Sequence, residues 1–244
     1  MSICRKFTLS LVAGAVCAAL APLATQAYVV NIDTFNSPLD PYTLTATGGN
    51  GVTATSDQDS VPETVGLAHR VATATVVDPS MVATGSVYMT LYGLNVTDPP
   101  VNSSPASETV AGKWSMAYDW AGGSVNLAHW GFDRIDIDYL SYGDNYLNMK
   151  LTVSDGTNTD FVEQTLASTG GNFVTASFYY ADFTNIDFSN VTSIILDYAG
   201  VESDGTTPAL DGDYGLSQFR AIPEPASVFL LLGGAGLLAS RRRR

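Results

Sequence analysis

The sequence predicts an all-β protein, an antiparallel β-sandwich of the jelly-roll kind, and three observations support this class. Apolar and polar residues alternate with a period of two over many short stretches, as in strands with one buried face. The 22 glycines and the abundant threonine and tyrosine are typical of strands and turns. No stretch between residues 28 and 220 shows a helical period.

The clearest predicted strand runs from Tyr146 to Ser154, where every second residue is apolar. Asp155-Gly156 then supplies a turn, and Phe161 to Leu166 resumes the extended pattern, so a hairpin is expected here. Further strands are expected at Val71 to Val77, Ser86 to Gly93, Trp114 to Trp120, Phe132 to Leu140, Phe173 to Tyr180, Ser193 to Tyr198 and Tyr214 to Arg220.

The segment from Asp98 to Pro105 is rich in proline and offers the best internal boundary. Prolines do not fit a central strand, so we expect a long surface loop there. Residues 28–220 are long enough for one sizeable core, and we therefore expect a single β-sandwich domain.

Residues 1–27 are predicted to be a secretory signal peptide, forming an N-terminal signal helix. Arg5 and Lys6 precede an apolar run from Leu9 to Leu20, which is too short to span a bilayer. Small residues then lead to an expected cleavage by the export machinery between Ala27 and Tyr28. The alternative is an uncleaved N-terminal anchor.

Residues 28–220, which we call the body, have a charge and a cysteine content that limit the possible partners. Residues 28–220 hold 5 basic and 23 acidic residues, a formal charge of −18. Such a field repels nucleic acid and anionic lipid, so no nucleic-acid partner is expected. Cys4 and Cys17 both lie in the signal peptide, which leaves the body without a disulfide or a thiol nucleophile.

The C-terminal tail combines three features in order. Pro223, Glu224 and Pro225 come first, and the two prolines favour an extended, exposed backbone. The uncharged run from Val228 to Ala239 would rise only about 18 Å as a helix, against a hydrocarbon core of about 30 Å. The chain ends in four arginines that are expected to stay cytoplasmic, Arg241, Arg242, Arg243 and Arg244.

This order of features resembles the PEP-CTERM sorting signal, which would cover residues 221–244. Its three parts would be the PEP motif at 223–225, an apolar transmembrane helix at 226–240 and the arginine cluster at 241–244. The resemblance implies that an exosortase, a membrane-embedded transpeptidase, cuts near the PEP motif. The body of such a Gram-negative protein is tethered transiently in the inner membrane and then passed to the cell surface. The alternative is a C-terminal anchor that is never cut.

A second resemblance concerns the body. The stretch from Phe132 to Phe219 is similar to the C-terminal half of many PEP-CTERM proteins, and Phe183 to Val191 matches their F-x-x-x-D-F-x-x-V turn. This resemblance implies a galactose-binding-like or lectin-like sandwich, and it carries no binding residues over.

Calcium is the cofactor that the acidic loops suggest, because carboxylate and backbone oxygens suit this ion. One candidate loop follows the strand at Tyr146 to Ser154, and the other precedes the last strand. Their candidate ligands are Asp155, Asp160, Asp204, Asp211 and Asp213. The alternative is that aspartate and glycine only form the turns.

Candidate catalytic groups are few. The two histidines, His69 and His129, nearly exclude a multi-histidine zinc site, and no serine lies in a G-x-S-x-G elbow. Asp133, Asp136 and Asp138 form the densest acidic run, but their alternation with apolar residues indicates a half-buried strand with a solvated acidic face. No catalytic residue is predicted.

Aromatic residues are the remaining signal. Most of them are expected to pack in the core, while Trp120 and Trp130 have loop-like neighbours and are the candidates for stacking on sugars.

Three functions stay open. The first is a non-catalytic surface or extracellular-matrix protein associated with exopolysaccharide or biofilm. The second is a carbohydrate-binding, lectin-like module that depends on calcium. The third is a secreted hydrolase, such as a glycoside hydrolase, which needs two facing acids or an acid beside His129.

Overall fold

Antiparallel strands and a short 3₁₀ helix at Tyr180–Asp182 form the regular structure of the described residues. The computed structural model describes residues 29–35, 42–59, 61, 64–77, 85–91, 101–105, 110–128, 131–142, 145–210 and 212–223. Thirteen strands are found in this part of the chain. The predicted all-β class is confirmed.

The strands, in chain order, are β1 (Val30–Asp33), β2 (Tyr42–Gly48), β3 (Thr53–Gln58), β4 (His69–Val77), β5 (Gly85–Leu91), β6 (Val101–Pro105), β7 (Ala111–Asp119), β8 (Phe132–Tyr142), β9 (Tyr146–Ser154), β10 (Thr159–Leu166), β11 (Val174–Tyr179), β12 (Ser193–Val201) and β13 (Asp213–Pro223).

Two sheets are formed by these strands. The first sheet has the order β11-β8-β13-β6-β5-β2, and β1 pairs with β13 beside this path. The second sheet has the order β10-β9-β12-β7-β4-β3. The last strand of the body therefore lies inside the first sheet, with the first strand, β1, paired to its C-terminal end.

The core lies between the sheets because alternate residues of each strand point inward. On β9 every second residue, from Leu147 to Val153, is fully buried, while the residues between them are half-buried. Large aromatic side chains fill the centre, where the rings of Trp114 and Tyr198 stack with their centroids 5.6 Å apart. The ring of Tyr214 on β13 lies 5.9 Å from that of Trp114, which joins the two sheets.

Most predicted strands have the expected positions, and the bounds of β9 are the same as predicted. The expected loop at Asp98 to Pro105 was wrong in its second half, because β6 pairs with both β5 and β13. Pro105 stands at the end of this strand, where the missing N–H disturbs the pairing least.

Besides β6, the strands β1, β2 and β3 lie outside the predicted set. β3 reads TATSDQ and has only exposed and half-buried residues, so it lacks a buried face that a hydrophobic pattern could reveal. It lies at an edge of the second sheet, where exposure is expected.

The predicted signal helix and transmembrane helix fall outside the described residues. Within the described ranges, no helix has the length and apolar character needed to cross a membrane.

Candidate functional site

The outer face of the second sheet carries two neighbouring rows of polar side chains. In the first row, Glu163 on β10 and Asp197 on β12 are both register partners of Lys150 on β9. Met149 and Leu151, on either side of Lys150, are fully buried. Alternation along the strand therefore directs Lys150 and its row away from the core.

The second row lies two residues along the same strands. Ala199 on β12 is the register partner of both Asn148 on β9 and Lys113 on β7. Because a methyl group stands between two long side chains, the surface dips at this point. The resulting depression has a volume of about 220 Å³, and we call it the sheet groove. It is bordered by Lys113, Asn148, Lys150, Glu163, Asp197, Tyr198, Ala199 and Val201.

A hydrogen bond and an aromatic ring organise one side of the sheet groove. The Nδ2 amide of Asn148 donates to Oε1 of Glu163 at 2.8 Å. The Nζ atom of Lys150 lies 4.0 Å from the ring centroid of Phe161, a cation–π distance. Phe161 is 51% exposed, so its ring offers an apolar surface beside donors and acceptors. This combination suits a ligand that has both hydroxyl groups and apolar faces.

The residues of the sheet groove were missed by sequence reasoning. Their outward positions follow from the period of two, and Glu163, Lys150 and Asn148 all lie in predicted strands. However, which strands are neighbours, and in which register, is decided by pairings between distant segments such as β7 and β12.

The outer face of the first sheet is a network of paired charges. Arg220 on β13 contacts both carboxylate oxygens of Asp138, at 2.5 and 3.0 Å. The Nε of Arg134 lies 3.1 Å from Oδ1 of Asp136, and its NH1 lies 3.3 Å from Oδ1 of Asp133. Asp136 and Asp138 therefore share one side of β8 with Arg134, as the alternation predicts, but Asp136 is only 6% exposed, so the expected solvated acidic face is found only in part.

Trp120 lies in the core and not on an exposed loop. Only 7% of it is exposed, and its indole N–H donates to the carbonyl oxygen of Val65 at 2.6 Å. A ring packed in this way cannot stack on a sugar, which corrects the expectation of an exposed ring at Trp120. Trp130 and His129 lie outside the described residues.

The carboxylate of Asp155 serves as the acceptor of a turn. It accepts backbone N–H bonds from Asn158, Asp187 and Thr157 at 2.6, 2.9 and 2.8 Å, and Asn158 Nδ2 adds a fourth contact at 3.3 Å. These donors hold the pKa of Asp155 well below its ordinary value, with the N–H of Asn158 contributing most. A cation would have to displace them.

Asp160, after the same turn, accepts N–H bonds from Thr184 at 2.5 Å and Phe161 at 2.8 Å, and these lower its pKa. In the second acidic loop, the hydroxyl of Thr207 and the N–H groups of Thr206 and Thr207 lower the pKa of Asp204 to about 2.

The two acidic loops do not meet. One loop lies beside the Ser193 end of β12, and the other follows the Val201 end, so the length of this strand separates them. Asp213 begins β13, and Asp211 lies outside the described residues. Calcium at the second loop stays a prediction, whereas the hydrogen bonds to Asp155 argue against it at the first.

A further group of polar side chains lies where β3 pairs with β4. Nε2 of His69 lies 2.5 Å from Oδ1 of Asp57 and 3.9 Å from Oδ1 of Asp59, and these three groups have the spacing of metal ligands. Asp119 on β7 is the register partner of His69. The hydrogen bond to Asp57 is the main cause of a raised pKa for His69. The cluster was missed because Asp57 and His69 are twelve positions apart in sequence and meet only through the pairing of β3 with β4.

The first residues of the sorting tail, 221–223, belong to the first sheet. β13 ends at Pro223, and Ala221 is fully buried between β8 and β1. The other predicted processing residues lie outside the described residues, namely Ala27, Tyr28, Glu224, Pro225, Arg241, Arg242, Arg243 and Arg244.

Comparison with solved structures finds carbohydrate-binding modules at low similarity. A family 11 module from Clostridium thermocellum, in complex with a beta-1,3-1,4-mixed-linked tetrasaccharide, is 12% identical with a TM-score of 0.39, covering 82% of this chain and 98% of the module. The xylan-binding module CBM15 is 11% identical with a TM-score of 0.37, covering 81% and 97%. The non-crystalline cellulose specific module CBM28 is 14% identical with a TM-score of 0.35, covering 62% and 82%. These values carry no ligand over to this chain.

Sequence comparison adds one family. No curated protein matches the chain. Residues 221–244 match the family model described as the PEP-CTERM protein-sorting motif. The chain is therefore an antiparallel β-sandwich that ends in a PEP-CTERM sorting motif.

Proposed function

We propose that this chain is an exported, non-catalytic cell-surface protein that holds polysaccharide in the sheet groove. One observation carries the binding part of this proposal, namely the exposed ring of Phe161 beside the amide, ammonium and carboxylate groups of the groove.

The chemistry of the sheet groove favours a sugar chain over other ligands. Asn148 and Lys150 supply donors and Glu163 and Asp197 supply acceptors, which together match the hydroxyl groups of a saccharide. The groove also lies open on the outer face of the second sheet, which continues beyond β7 through β4 and β3. Such a surface suits an extended polymer better than a small metabolite, which proteins usually enclose.

The sorting motif supports the cellular part of the proposal. The body would cross the inner membrane behind its signal peptide and stay tethered by residues 226–240 until an exosortase-type transpeptidase acts near Pro223-Glu224-Pro225. The released body would then associate with exopolysaccharide or biofilm. Its acidic composition favours solubility outside the cell.

Glycan binding by the purified protein tests the groove. We expect binding to the producing bacterium's own exopolysaccharide, measured by calorimetry or affinity electrophoresis with calcium and with a chelator. Phe161→Ala and Asp197→Ala should each weaken binding about tenfold, the effect of losing one good contact. Tyr179→Ala is the matched control, since Tyr179 is 47% exposed on the first sheet.

Equal binding by all three variants would contradict the groove as the site, and an absence of binding to any glycan would contradict the function. Steady release of shortened saccharides during the measurement would instead favour the hydrolase.

The sorting step has a separate test. Intact-mass analysis of protein released from the surface should show a chain that lacks the four C-terminal arginines. Recovery of only the full-length chain, and only in membranes, would contradict processing.

A further inference from the structure

Both lysines of the body lie in the sheet groove. The chain has three lysines, and Lys6 belongs to the signal peptide, which leaves Lys113 and Lys150. They are 37 positions apart in sequence, yet β7, β12 and β9 are neighbours in the second sheet and bring them to one depression. Two strand spacings, about 10 Å, separate β7 from β9.

The other cations of the body are already paired with acids. Arg70 is buried with Asp33, at 2.7 Å between NH1 and Oδ2. Arg134 and Arg220 pair with aspartates on the outer face of the first sheet.

The two lysines differ from these arginines. Among the described residues, neither lysine has a carboxylate oxygen within 4.0 Å, although Glu163 and Asp197 flank Lys150 in the register. Lys150 contacts the ring of Phe161, and Glu163 accepts a hydrogen bond from Asn148. Both ammonium groups are therefore available to a ligand.

We propose that the sheet groove selects an acidic polysaccharide, a chain of uronate-type sugars, whose carboxylates pair with Lys113 and Lys150. The proposal rests on the proposed function and specifies its ligand. Hydroxyl groups of the same sugars would bind Asn148 and Asp197, and a sugar face would pack on Phe161.

The charge of the body sharpens this selection. With a formal charge of −18 on residues 28–220, a polyanion is repelled by most of the surface. In the groove, the two lysines balance Glu163 and Asp197, so the local charge is zero. Short-range pairing with a lysine outweighs distant repulsion, because charges more than a Debye length of about 8 Å away are screened at physiological salt. An acidic chain would therefore bind along the groove and not elsewhere.

The experiment compares acidic polymers with their neutral counterparts. The full-length protein, in detergent, is titrated with oligomers of polygalacturonate, alginate and hyaluronan and with the host exopolysaccharide. Each is also tested after reduction of its carboxylates to hydroxymethyl groups, which keeps the chain and removes the charge. At least one acidic polymer should bind, with its reduced form at least about tenfold weaker. Raising the salt from about 0.1 M to about 1 M should weaken binding, since the Debye length falls from about 10 to about 3 Å.

Variants assign the effect to the two lysines. Lys113→Gln and Lys150→Gln should each weaken binding of the acidic form about tenfold, whereas Lys113→Arg and Lys150→Arg should retain most of it. Arg134→Gln changes the net charge equally on the other sheet and should have no effect. Thermal melting of each variant verifies that it is folded.

The outcomes separate this inference from the function on which it rests. Equal binding of acidic and reduced chains, or binding of neutral glycans alone, would overturn the acidic class and leave the proposed function standing. Acidic binding that survives both glutamine variants would overturn the role of the lysines. Failure of every glycan to bind would overturn the proposed function itself.

Discussion

Arg70 and Asp33 form a fully buried ion pair that connects the two sheets. NH1 of Arg70, on β4 of the second sheet, lies 2.7 Å from Oδ2 of Asp33, on β1 beside β13. Tyr118 also donates its hydroxyl to Oδ2 of Asp33 at 2.8 Å, and the N–H of Phe35 donates to Oδ1 at 2.6 Å. Gln58 Oε1 accepts from the guanidinium of Arg70. The first strand of the body is thereby attached to the opposite sheet.

Loss of either charge should destabilise the fold strongly. Arg70→Met leaves the Asp33 carboxylate buried without its cation, and we expect a loss of about 3–5 kcal/mol in the free energy of unfolding. Urea denaturation measures this loss. Lys113→Met is the control and should change stability by less than about 0.5 kcal/mol, because Lys113 is an exposed residue. The double variant Asp33→Asn/Arg70→Met should lose less than the sum of the single variants, and full additivity would show that the two charges do not interact.

Gly200 on β12 should not tolerate a side chain. A Cβ atom there would lie 2.8 Å from Cζ of Tyr214, closer still to the Tyr214 hydroxyl, and this ring is 1% exposed. We expect Gly200→Ala to cost about 1–3 kcal/mol through overpacking, measured by chemical denaturation. Gly49→Ala is the matched control, since a Cβ at Gly49 would have no neighbour within 4 Å. Adding Tyr214→Phe should recover part of the loss, and no recovery would contradict the clash.

His69 should titrate above its ordinary pKa. Its hydrogen bond to Asp57 favours the protonated ring, so the folded pKa lies above the unfolded value of about 6.5. The stability from this contact is fully present below about pH 6.5 and is lost as pH rises through the folded pKa. NMR titration of the His69 ring should show the raised pKa, and Asp57→Asn should lower it. Asp182→Asn, a change at an exposed aspartate, should not. An equal shift in both variants would contradict the pairing.

Calcium should not stabilise the turn at Asp155. Four N–H contacts already occupy this carboxylate, so we expect the same melting midpoint with calcium and with a chelator. A calcium-dependent rise in the midpoint that Asp155→Asn abolishes would support the site expected from the sequence.

The stability that Asp204 contributes should depend on pH in the opposite direction to that of His69. Its folded pKa of about 2 lies below the unfolded value of about 3.9, so its contribution is present above about pH 3.9 and is lost as pH falls towards 2. Asp204→Asn should make thermal stability less dependent on pH between about pH 4 and pH 2. Asp182→Asn again serves as the control. An unchanged acid profile in Asp204→Asn would show that its hydrogen bonds contribute little.

Local pattern was enough to predict the strands with the most regular alternation. β9 alternates apolar and polar residues along its whole length, and its bounds were predicted without error. β6 was missed because Pro99 and Pro100 before it and Pro105 at its end argue against a central strand, and only its pairing with β5 and β13 shows otherwise. Trp120 was expected on a loop surface because of its glycine neighbours, but the fold buries it against Val65.

The fold class, the acidic charge of the body and the sorting tail could all be predicted from the sequence, because each depends on composition or on neighbouring residues. Only the folded structure shows that Lys113 and Lys150 border the same groove and that Asp33 pairs with Arg70. These pairs depend on strand order and register, which arise from hydrogen bonds between distant segments and from the burial of one face of each strand. The site proposed for the ligand therefore depends on strand pairing, whereas the sorting motif depends only on neighbouring residues of the chain.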